Sequence, residues 1–381
     1  MNLDLKRSTW QRVAFGDVVR NVNETVRDAK ARGIDRVIAM EHMDPAELGI
    51  QRWGDIADGT TFTRRVRPGQ TLFGKRRAYQ RKVAYATFDA ICSGDIYTFE
   101  ANETRMLGDF LPFIVQADPF FDHALGTSAG SLSPRTNWRD LAKFEFDLPP
   151  LDEQKRIADL LWAIGRHRAE VANFRVAVGE SQGPLMTLEA DSFITVEDVA
   201  TTARSGATPP RSNPAFYGGD IPWLKSGEVT GDGIATTEER ITEAGLAGSA
   251  TWLAPAGAIV VAMYGDGKTR GQVGRIAVPM CTNQAVLALV PDDSRAHPDF
   301  LYYWLRSRQQ ELRAKGAGAA QKNLSKGLVV SEPFPEMSLE TQAATAKRIE
   351  ALDDAQTHAA READHLLQVR AALMSHVFGG S

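Results

Sequence analysis

The chain has 381 residues, of which 43% are hydrophobic and 24% are charged, and its formal net charge is −4. These values are typical of a soluble globular protein with two or three domains, and they exclude the disordered and fibrous classes. Because the chain has no overall excess of positive charge, nucleic-acid binding would have to depend on local basic patches.

The cysteines and the N-terminus limit the class of protein further. Cys92 and Cys281 are far apart in the chain and show no metal-ligand spacing, so we expect neither a disulfide framework nor a zinc site. The N-terminal residues lack the apolar run of a signal peptide. No stretch approaches the roughly 20 apolar residues that cross a bilayer. We therefore expect a cytoplasmic protein that binds no metal.

The first distinctive feature along the chain is a basic segment, residues 64–82, which contains no acidic residue. Lysine and arginine neutralise phosphates, and arginine also pairs with guanine edges. The alternative is a solvated charged face, although such a face normally mixes both signs. We predict DNA contacts in this segment from the following residues: Arg64, Arg65, Lys75, Arg76, Arg77, Tyr79, Arg81 and Lys82.

The two halves of the chain repeat each other. "FDLPPLDEQKRIADLLWAI" (146–164) has a counterpart in "FPEMSLETQAATAKRIEALDDA" (334–355), and "FDAICSGDIYTFE" (88–100) corresponds to "VPMCTNQAVLALV" (278–290). This alignment predicts equivalent core positions for Cys92 and Cys281. "AGSLSPRTNW" (129–138) likewise parallels "AGAAQKNLSK" (317–326). These two loops predict either DNA contacts or loop anchoring for Arg135, Asn137, Gln321, Lys322 and Asn323.

Each half ends in a long helical segment with apolar residues spaced alternately by three and four. This narrow stripe is typical of a coiled coil, and the shortness of each helix favours antiparallel pairing within one chain. Prolines at 149–150 and at 333 and 335 block a helix before each start, and Gly179 and Gly183 suit the end of the first helix. The alternative is a pair of ordinary core helices. The predicted contact residues are Ile157, Leu160, Ile164, Val171, Phe174, Val178, Ile349, Leu352, Leu366, Leu373 and Val377.

In the second half, Gly267-Lys268-Thr269 suggests a phosphate-binding loop, but the required first glycine is replaced by Ala262. The residues that follow favour a strand and a turn rather than a helix. The glycine-rich loop therefore predicts DNA contacts instead, made by Tyr264, Lys268, Thr269 and Arg270.

Two shorter segments of the second half also contain candidate contact residues. In "IPWLKSGEV", Trp223 suits a core, whereas Lys225 and Ser226 are candidates for DNA contact. In "TNQA", Asn283 and Gln284 could pair with adenine. They could equally brace the neighbouring loop, and we favour bracing because an apolar stretch follows them directly.

Three second-half segments occur in a distinctive order: "YGGDIPWLKSGEV" (217–229), "AMYGDGKTRGQVG" (262–274) and "CTNQAVLAL" (281–289). Together with the "LPPLDEQKRIADLL" helix start, they closely resemble the specificity subunit of type I restriction–modification enzymes. The resemblance covers nearly the whole chain. The first half is more divergent and lacks an Ile-Pro-Trp segment.

The resemblance implies an α/β fold with two target-recognition domains, which repeat about a pseudo-twofold axis and are separated by two long antiparallel spacer helices that form an intramolecular coiled coil. Such a subunit has no catalytic activity and binds no cofactor itself. Each recognition domain recognises one half of a split double-stranded DNA target. The helices fix the gap and dock two adenine methyltransferase (modification) subunits that bind S-adenosylmethionine, and restriction subunits can join. The predicted boundaries are 1–148, 149–184, 185–336 and 337–381.

Two other functional classes stay open. The first is a self-sufficient DNA methyltransferase or nuclease with a recognition module. Ser-Asn-Pro-Ala-Phe (212–216) resembles a methyltransferase base-gripping loop but has Ala215 where the second proline belongs, so we predict a turn before a strand. The second class is a scaffold that binds something other than DNA, which the basic segment disfavours.

Overall fold

The computed structural model describes residues 5–128, 134–265, 269–315 and 323–379. The chain forms two compact units. Unit one comprises Met1–Val171 and Glu362–Ser381, and unit two comprises Ala172–Arg361. Each of the two long helices contributes residues to both units, because the unit boundaries fall inside the helices.

Unit one begins with short strands and helices. Its strands are β1 (Gln11–Ala14), β2 (Val19–Val22), β3 (Arg36–Ile38), β4 (Gly54–Asp55), β5 (Arg64–Val66), β6 (Thr71–Gly74), β7 (Val83–Tyr85), β8 (Ala90–Cys92), β9 (Ile96–Ala101) and β10 (Glu145–Leu148). Its helices are α1 (Phe15–Val18), α2 (Leu111–Gln116), α3 (Asp118–Gly126), α4 (Trp138–Leu141), the first part of α5 (Leu151–Thr187) and the last part of α10 (Leu339–Phe378).

Unit two continues the same alternation. Its strands are β11 (Ser192–Thr195), β12 (Ala200–Ser205), β13 (Tyr217–Leu224), β14 (Gly231–Ile234), β15 (Arg240–Ile241), β16 (Leu253–Ala254), β17 (Ile259–Ala262), β18 (Val273–Ile276), β19 (Met280–Thr282), β20 (Val286–Pro291) and β21 (Pro333–Glu336). Its further helices are α6 (Glu243–Ala247), α7 (Pro298–Ser307), α8 (Gln309–Lys315), α9 (Lys326–Val330) and the first part of α10 (Leu339–Phe378).

The two units have the same strand order. The sheet β2-β9-β6-β7 of unit one corresponds to β12-β20-β17-β18 of unit two, where β14 is added at the edge. The sheet β4-β3-β8-β5 corresponds to β15-β13-β19-β16, and in both sheets the two central strands are parallel. The pair β1-β10 corresponds to β11-β21. The predicted repeated α/β fold is therefore confirmed.

Apolar residues and turn glycines explain why these strands form. All four residues of β17 are buried, as are all four of β6, which suits strands in the middle of a sheet. A glycine with a positive φ precedes each of these strands, Gly69 at 87° and Gly257 at 85°. Their amides donate to equivalent carbonyls, Ala86 O and Ile276 O, both at 2.8 Å. Glycine adopts this conformation without steric cost, so the same turn starts the same strand in both units.

A buried glutamine fixes the start of each long helix. Gln154 of α5 accepts from the Leu107 amide at 2.8 Å and donates to the carbonyls of Arg105 and Pro149. Gln342 of α10 makes the same three kinds of contact, with the His297 amide and the carbonyls of Arg295 and Met337. Each side chain thus satisfies three backbone groups that would otherwise be buried without partners. This explains the repeated Leu-x-x-Gln at 151–154 and 339–342.

The long helices are antiparallel within each unit. In unit one, Ile157 and Ile164 of α5 share a core with Leu373 and Val377 of α10. His167, which comes later in α5, contacts Glu362, which comes earlier in α10. In unit two, Met186 of α5 shares a core with Ile349 of α10, whereas the earlier Gln182 contacts the later Asp353. The predicted antiparallel pairing is confirmed. Ile157, Ile164, Val171, Val178, Ile349, Leu373 and Val377 are buried, and Leu160, Leu352 and Leu366 are partly buried.

Two details of the helix prediction are wrong. Phe174 is 47% exposed although it lies in the three-four series of apolar residues. Helix α5 also does not end at Gly179 or Gly183 but continues through Pro184 to Thr187. Its last turns are held by Met186, which is 1% exposed in the core of unit two. Gly179 instead permits close approach to the Gln356 amide of α10.

Both cysteines are buried on equivalent strands, as predicted, but not at equivalent positions. In the parallel strand pair of unit one, Cys92 lies opposite Ile38. The residue of unit two that corresponds to Cys92 is Thr282, which lies opposite Leu224. Cys281 is therefore offset by one residue and faces the opposite side of its sheet. Burial raises the pKa of Cys92 to about 12 and that of Cys281 to about 11. Both thiols stay protonated near neutral pH and serve as core residues.

Candidate nucleic-acid interface

The two DNA-contact segments predicted separately occupy the same place in the repeat. Loop one, residues 75–82, joins β6 to β7, and loop two, residues 263–272, joins β17 to β18. The first amide of each loop donates to the carbonyl just before an equivalent strand. The Lys75 amide donates to Asp95 O, before β9, at 3.0 Å, and the Met263 amide donates to Ala285 O, before β20, at 2.8 Å. The sequence comparison missed this equivalence because the two loops differ in length and composition.

A second segment lies beside each loop. The Thr136 amide donates to Lys75 O at 3.0 Å, and the Leu324 amide donates to Met263 O at 2.9 Å. Arg135 and Asn323, which precede these residues, therefore occupy equivalent positions. The predicted parallel between residues 129–138 and 317–326 is confirmed for its described part. Gln321, Lys322 and Lys268 lie outside the described residues.

Asp95 was not predicted, and it organises the surface of unit one. Its side chain is 21% exposed, with Oδ2 3.3 Å from Arg76 Nη1 and Oδ1 3.1 Å from Arg135 Nη2. Arg76 and Arg135 also form an antiparallel backbone bridge. One carboxylate thus holds two guanidinium groups whose side chains are 43% and 56% exposed.

Several residues of the basic segment that were predicted to contact DNA are engaged inside the protein. The Arg65 side chain is 16% exposed and pairs with Glu24 at 3.2 Å and Asp89 at 2.8 Å. Arg64 donates to Ile96 O, and Lys82 Nζ donates to Met40 O at 2.6 Å. These contacts place Arg64, Arg65 and Lys82 in structural roles, because their acidic and carbonyl partners come from distant segments that the local sequence does not reveal.

Arg81 and Lys75 are intermediate cases. Arg81 pairs with Asp118 and lies over the Phe121 ring at 4.4 Å. Lys75 Nζ lies 4.8 Å from the Tyr97 ring centroid. Burial and the nearby Arg64 charge lower the pKa of Lys75. An anion beside Lys75 would favour its charged form.

Three further predicted residues of unit one are exposed. Arg77 adopts a left-handed conformation with φ of 55°, which starts a tight turn, and Tyr79 on that turn is 56% exposed. Asn137 precedes α4, is exposed, and makes no side-chain capping bond to it. A cation, an aromatic ring and an amide are thus available to a ligand at loop one.

In unit two, the described part of loop two exposes Tyr264, which is 38% exposed, and leaves Thr269 and Arg270 half-buried. Asn323 beside it is exposed. The loop joins antiparallel strands, β17 and β18, and leads to no helix. The rejection of a nucleotide-hydrolase phosphate loop is therefore confirmed.

The Trp223–Glu228 region of unit two is tied by ion pairs. Lys225 Nζ lies 2.9 Å from Glu238 and 3.3 Å from Glu239, and Glu239 also pairs with Arg211 at 2.6 Å. The Glu238 contact raises the pKa of Lys225. Ser226 is half-buried, and Trp223 is 2% exposed, as predicted for a core residue. DNA could contact Lys225 only in competition with these carboxylates.

The polar residues before β20 and β13 brace loops. Asn283 Oδ1 accepts from the Ala285 amide at 3.0 Å, and Gln284 Oε1 accepts from the Thr208 hydroxyl at 2.6 Å. These contacts agree with the bracing interpretation. Asn213 Oδ1 accepts from the Ala215 amide at 3.2 Å and caps a turn that leads into β13. This confirms the turn predicted for residues 212–216.

The described residues form neither a metal-ligand cluster nor a membrane-spanning helix. No cluster of three or more potential metal-ligating side chains occurs among them. Their helices include none with the length and apolarity needed to cross a bilayer.

Comparison with known proteins identifies a family and a fold. The family model of the type I restriction modification DNA specificity domain matches residues 62–173 and 192–364. The chain is 32% identical over 103 residues to the EcoDI specificity subunit of Escherichia coli, which covers 27% of this chain and 22% of that protein. It is 30% identical over 124 residues to the HindI specificity subunit of Haemophilus influenzae, covering 32% and 26%. These matches span about a quarter of each relative's length.

Solved structures are similar over almost the full chain. The S subunit of a type I restriction–modification system from M. genitalium has a TM-score of 0.62 at 15% identity and covers 100% of this chain and 98% of that one. A chain from a type I R-M system has a TM-score of 0.55 at 19% identity and covers 98% of both. At these identities the likeness concerns the fold.

Proposed function

The chain belongs to the type I restriction–modification DNA specificity domain family, and on that premise we propose that it is a non-catalytic subunit that recognises a bipartite DNA target. The observation that supports this proposal most directly is the repetition of one exposed loop, with its neighbouring segment, at the same place in two equivalent sheets. Two copies of one recognition surface suit a target with two half-sequences.

In the proposed complex, each unit contacts one half-target through its loop. Exposed lysine and arginine side chains supply affinity through the phosphates, and side chains that reach base edges supply specificity. The proposed contact residues of unit one are Lys75, Arg76, Arg77, Tyr79, Arg81, Arg135 and Asn137. Those of unit two are Lys225, Ser226, Tyr264, Lys268, Thr269, Arg270, Gln321, Lys322 and Asn323.

The long helices are proposed to set the gap between the half-targets. Helix α5 has 37 residues and α10 has 40, and at about 1.5 Å per residue they extend for roughly 55–60 Å. We predict that inserting about four residues, roughly one turn, into both helices lengthens the gap and leaves both half-sequences unchanged. Methylation mapping measures the gap directly, and an unchanged gap would contradict the role of the helices.

The partners of this subunit are also part of the proposal. We expect two adenine methyltransferase subunits to dock on the helices and to carry the S-adenosylmethionine, and restriction subunits to join some assemblies. The predicted domain boundaries, with recognition domains at 1–148 and 185–336, and a cytoplasmic location belong to the same proposal.

One experiment tests the function. The chain is isolated from its host as a complex, the co-purifying proteins are identified, and the host DNA is sequenced for methylated adenine. A methyltransferase partner together with a split, asymmetric methylated motif is expected. If neither is found, the family fold serves another function.

A second experiment separates this proposal from the self-sufficient enzyme. The purified chain alone is incubated with DNA and labelled S-adenosylmethionine. We expect no methyl transfer, and any transfer that follows the chain through purification overturns the non-catalytic role.

A further inference from the structure

We propose that Arg76 and Arg135, held in place by Asp95, recognise guanine in the half-target of unit one, and that unit two recognises a different base at the equivalent place. This inference rests on the proposed function, because it assumes that the loops contact DNA. It goes beyond that function by assigning a base to one position of the target.

The backbone fixes the two arginines relative to each other. Arg76 and Arg135 face each other across an antiparallel bridge. That bridge is flanked by two hydrogen bonds, from the Arg77 amide to Pro134 O at 2.8 Å and from the Thr136 amide to Lys75 O at 3.0 Å. The side chains therefore start from a paired segment of backbone rather than from a free loop.

Asp95 then fixes the side chains. Each of its oxygens contacts a different guanidinium, at 3.3 Å for Arg76 and 3.1 Å for Arg135. A guanidinium has five N–H groups in a planar fork, so it can contact a carboxylate and a ligand with different N–H groups. Guanine presents two acceptors, O6 and N7, that suit such a fork.

The charge of Asp95 favours base recognition over simple phosphate binding. A carboxylate beside the DNA repels the phosphates and lowers general affinity. Phosphate contacts tolerate many side-chain orientations, whereas a base edge needs a fixed one, and a side chain ordered before binding loses less entropy on binding. Asp95 is therefore a positioning residue, which lowers the general affinity for DNA but orients the two arginines.

Unit two has different chemistry at all three equivalent positions. Tyr264 corresponds to Arg76, Asn323 to Arg135 and Ala285 to Asp95, as the shared backbone hydrogen bonds show. Ala285 has no charge and is 5% exposed. Asparagine pairs with the N6 and N7 positions of adenine, and tyrosine offers a hydroxyl and a ring. The two half-targets should therefore differ at the position that this part of each unit contacts.

The test compares the methylated motif and the DNA preference of the intact complex across matched variants. R76Q and R135Q remove one guanidinium each, and D95N keeps both arginines but removes the charge that orients them. R139Q is the control, since Arg139 lies nearby in α4 with its side chain 86% exposed. N323A probes unit two. Thermal unfolding at the wild-type temperature establishes that each variant is folded.

We expect R76Q and R135Q each to lower the preference for guanine about tenfold or more at one half-target. D95N should lower the same preference while affinity for unrelated DNA at low salt stays equal or increases. R139Q should change neither, and N323A should alter only the other half-target.

Three results would overturn the inference. They are a half-target without guanine, an equal loss of affinity for all sequences in R76Q and R135Q, and an unchanged preference. The failure of the proposed function is distinguishable, because the wild-type complex would then show no bipartite motif at all.

Discussion

The residue just before the last strand differs sharply between the two units. In unit one it is Phe144, and in unit two it is Glu332, which is 0% exposed. The backbone amides of the two residues make equivalent hydrogen bonds, since the Phe144 amide donates to Leu141 O and the Glu332 amide donates to Val329 O. Their carbonyls also accept from equivalent segments, at Phe15 and Val196.

The surroundings of these two residues solve one packing problem in two ways. Phe144 packs against the rings of Phe120 and Phe146. Glu332 instead contacts Lys315 and Arg308, with 3.5 Å to the latter. The repeat therefore preserves backbone hydrogen bonding rather than side-chain identity, which explains why the halves look divergent in sequence and alike in structure.

Among the variants proposed here, replacing Glu332 should change the stability of its unit most. E332Q keeps the side-chain volume but leaves two cations without their shared carboxylate, which should lower the free energy of unfolding of unit two by about 3 kcal/mol. Urea unfolding followed by hydrogen exchange in peptides of unit two measures the change. The control is E311Q, because Glu311 pairs with the same Arg308 but is 46% exposed. Equal effects of the two variants would contradict the importance of burial.

The second prediction concerns the starts of α5 and α10, where the two units use the same buried glutamine. Q154L and Q342L keep most of the volume and remove three hydrogen bonds each, so each should cost its own unit about 2 kcal/mol. Amide exchange should accelerate at Leu107 in Q154L and at His297 in Q342L, roughly thirtyfold in each case. Q368L on the exposed face of α10 is the control. Acceleration in only one unit would break the equivalence of the two helix starts.

The smallest effect concerns pH and should occur in unit one alone. Glu362 at 2.7 Å, together with Glu170, raises the pKa of His167. The contact therefore stabilises unit one fully below the ordinary histidine pKa of 6.5, and this contribution is lost as pH rises through the raised value. Ala355 occupies the matching position in unit two, counted from Gln342. An NMR titration of His167 measures the shift, and E362Q should abolish most of it. A pKa at or below 6.5 in the wild type would contradict the pairing.

Much of the fold was predictable because it depends on local patterns. The repeated Leu-x-x-Gln, the prolines before each helix and the three-four apolar spacing gave the helix starts and their antiparallel pairing. The rejected phosphate loop followed from Ala262 and from the strand-forming residues after Thr269. These signals come from residues that are neighbours along the chain.

The parts that could not be predicted depend on contacts between distant segments. Glu24, Asp89, Asp95 and Asp118 reach the basic segment from four other places in unit one. Their contacts pair several cations of the basic segment, although the segment itself contains no acidic residue. The one-residue offset of Cys281 was hidden for a similar reason, since only strand register reveals it.

The two units also differ in how they can be built during synthesis. Unit two is one continuous stretch, Ala172–Arg361, whereas unit one needs Glu362–Ser381 in addition to Met1–Val171. Its core includes Leu373 and Val377 beside Ile157, so it closes a loop of about 200 residues, which carries an entropic cost. Domains normally fold in order from the N-terminus as the ribosome releases them. Here we expect the order to be reversed, with the second unit complete first and the first unit waiting, with apolar surface exposed, for the last residues to emerge.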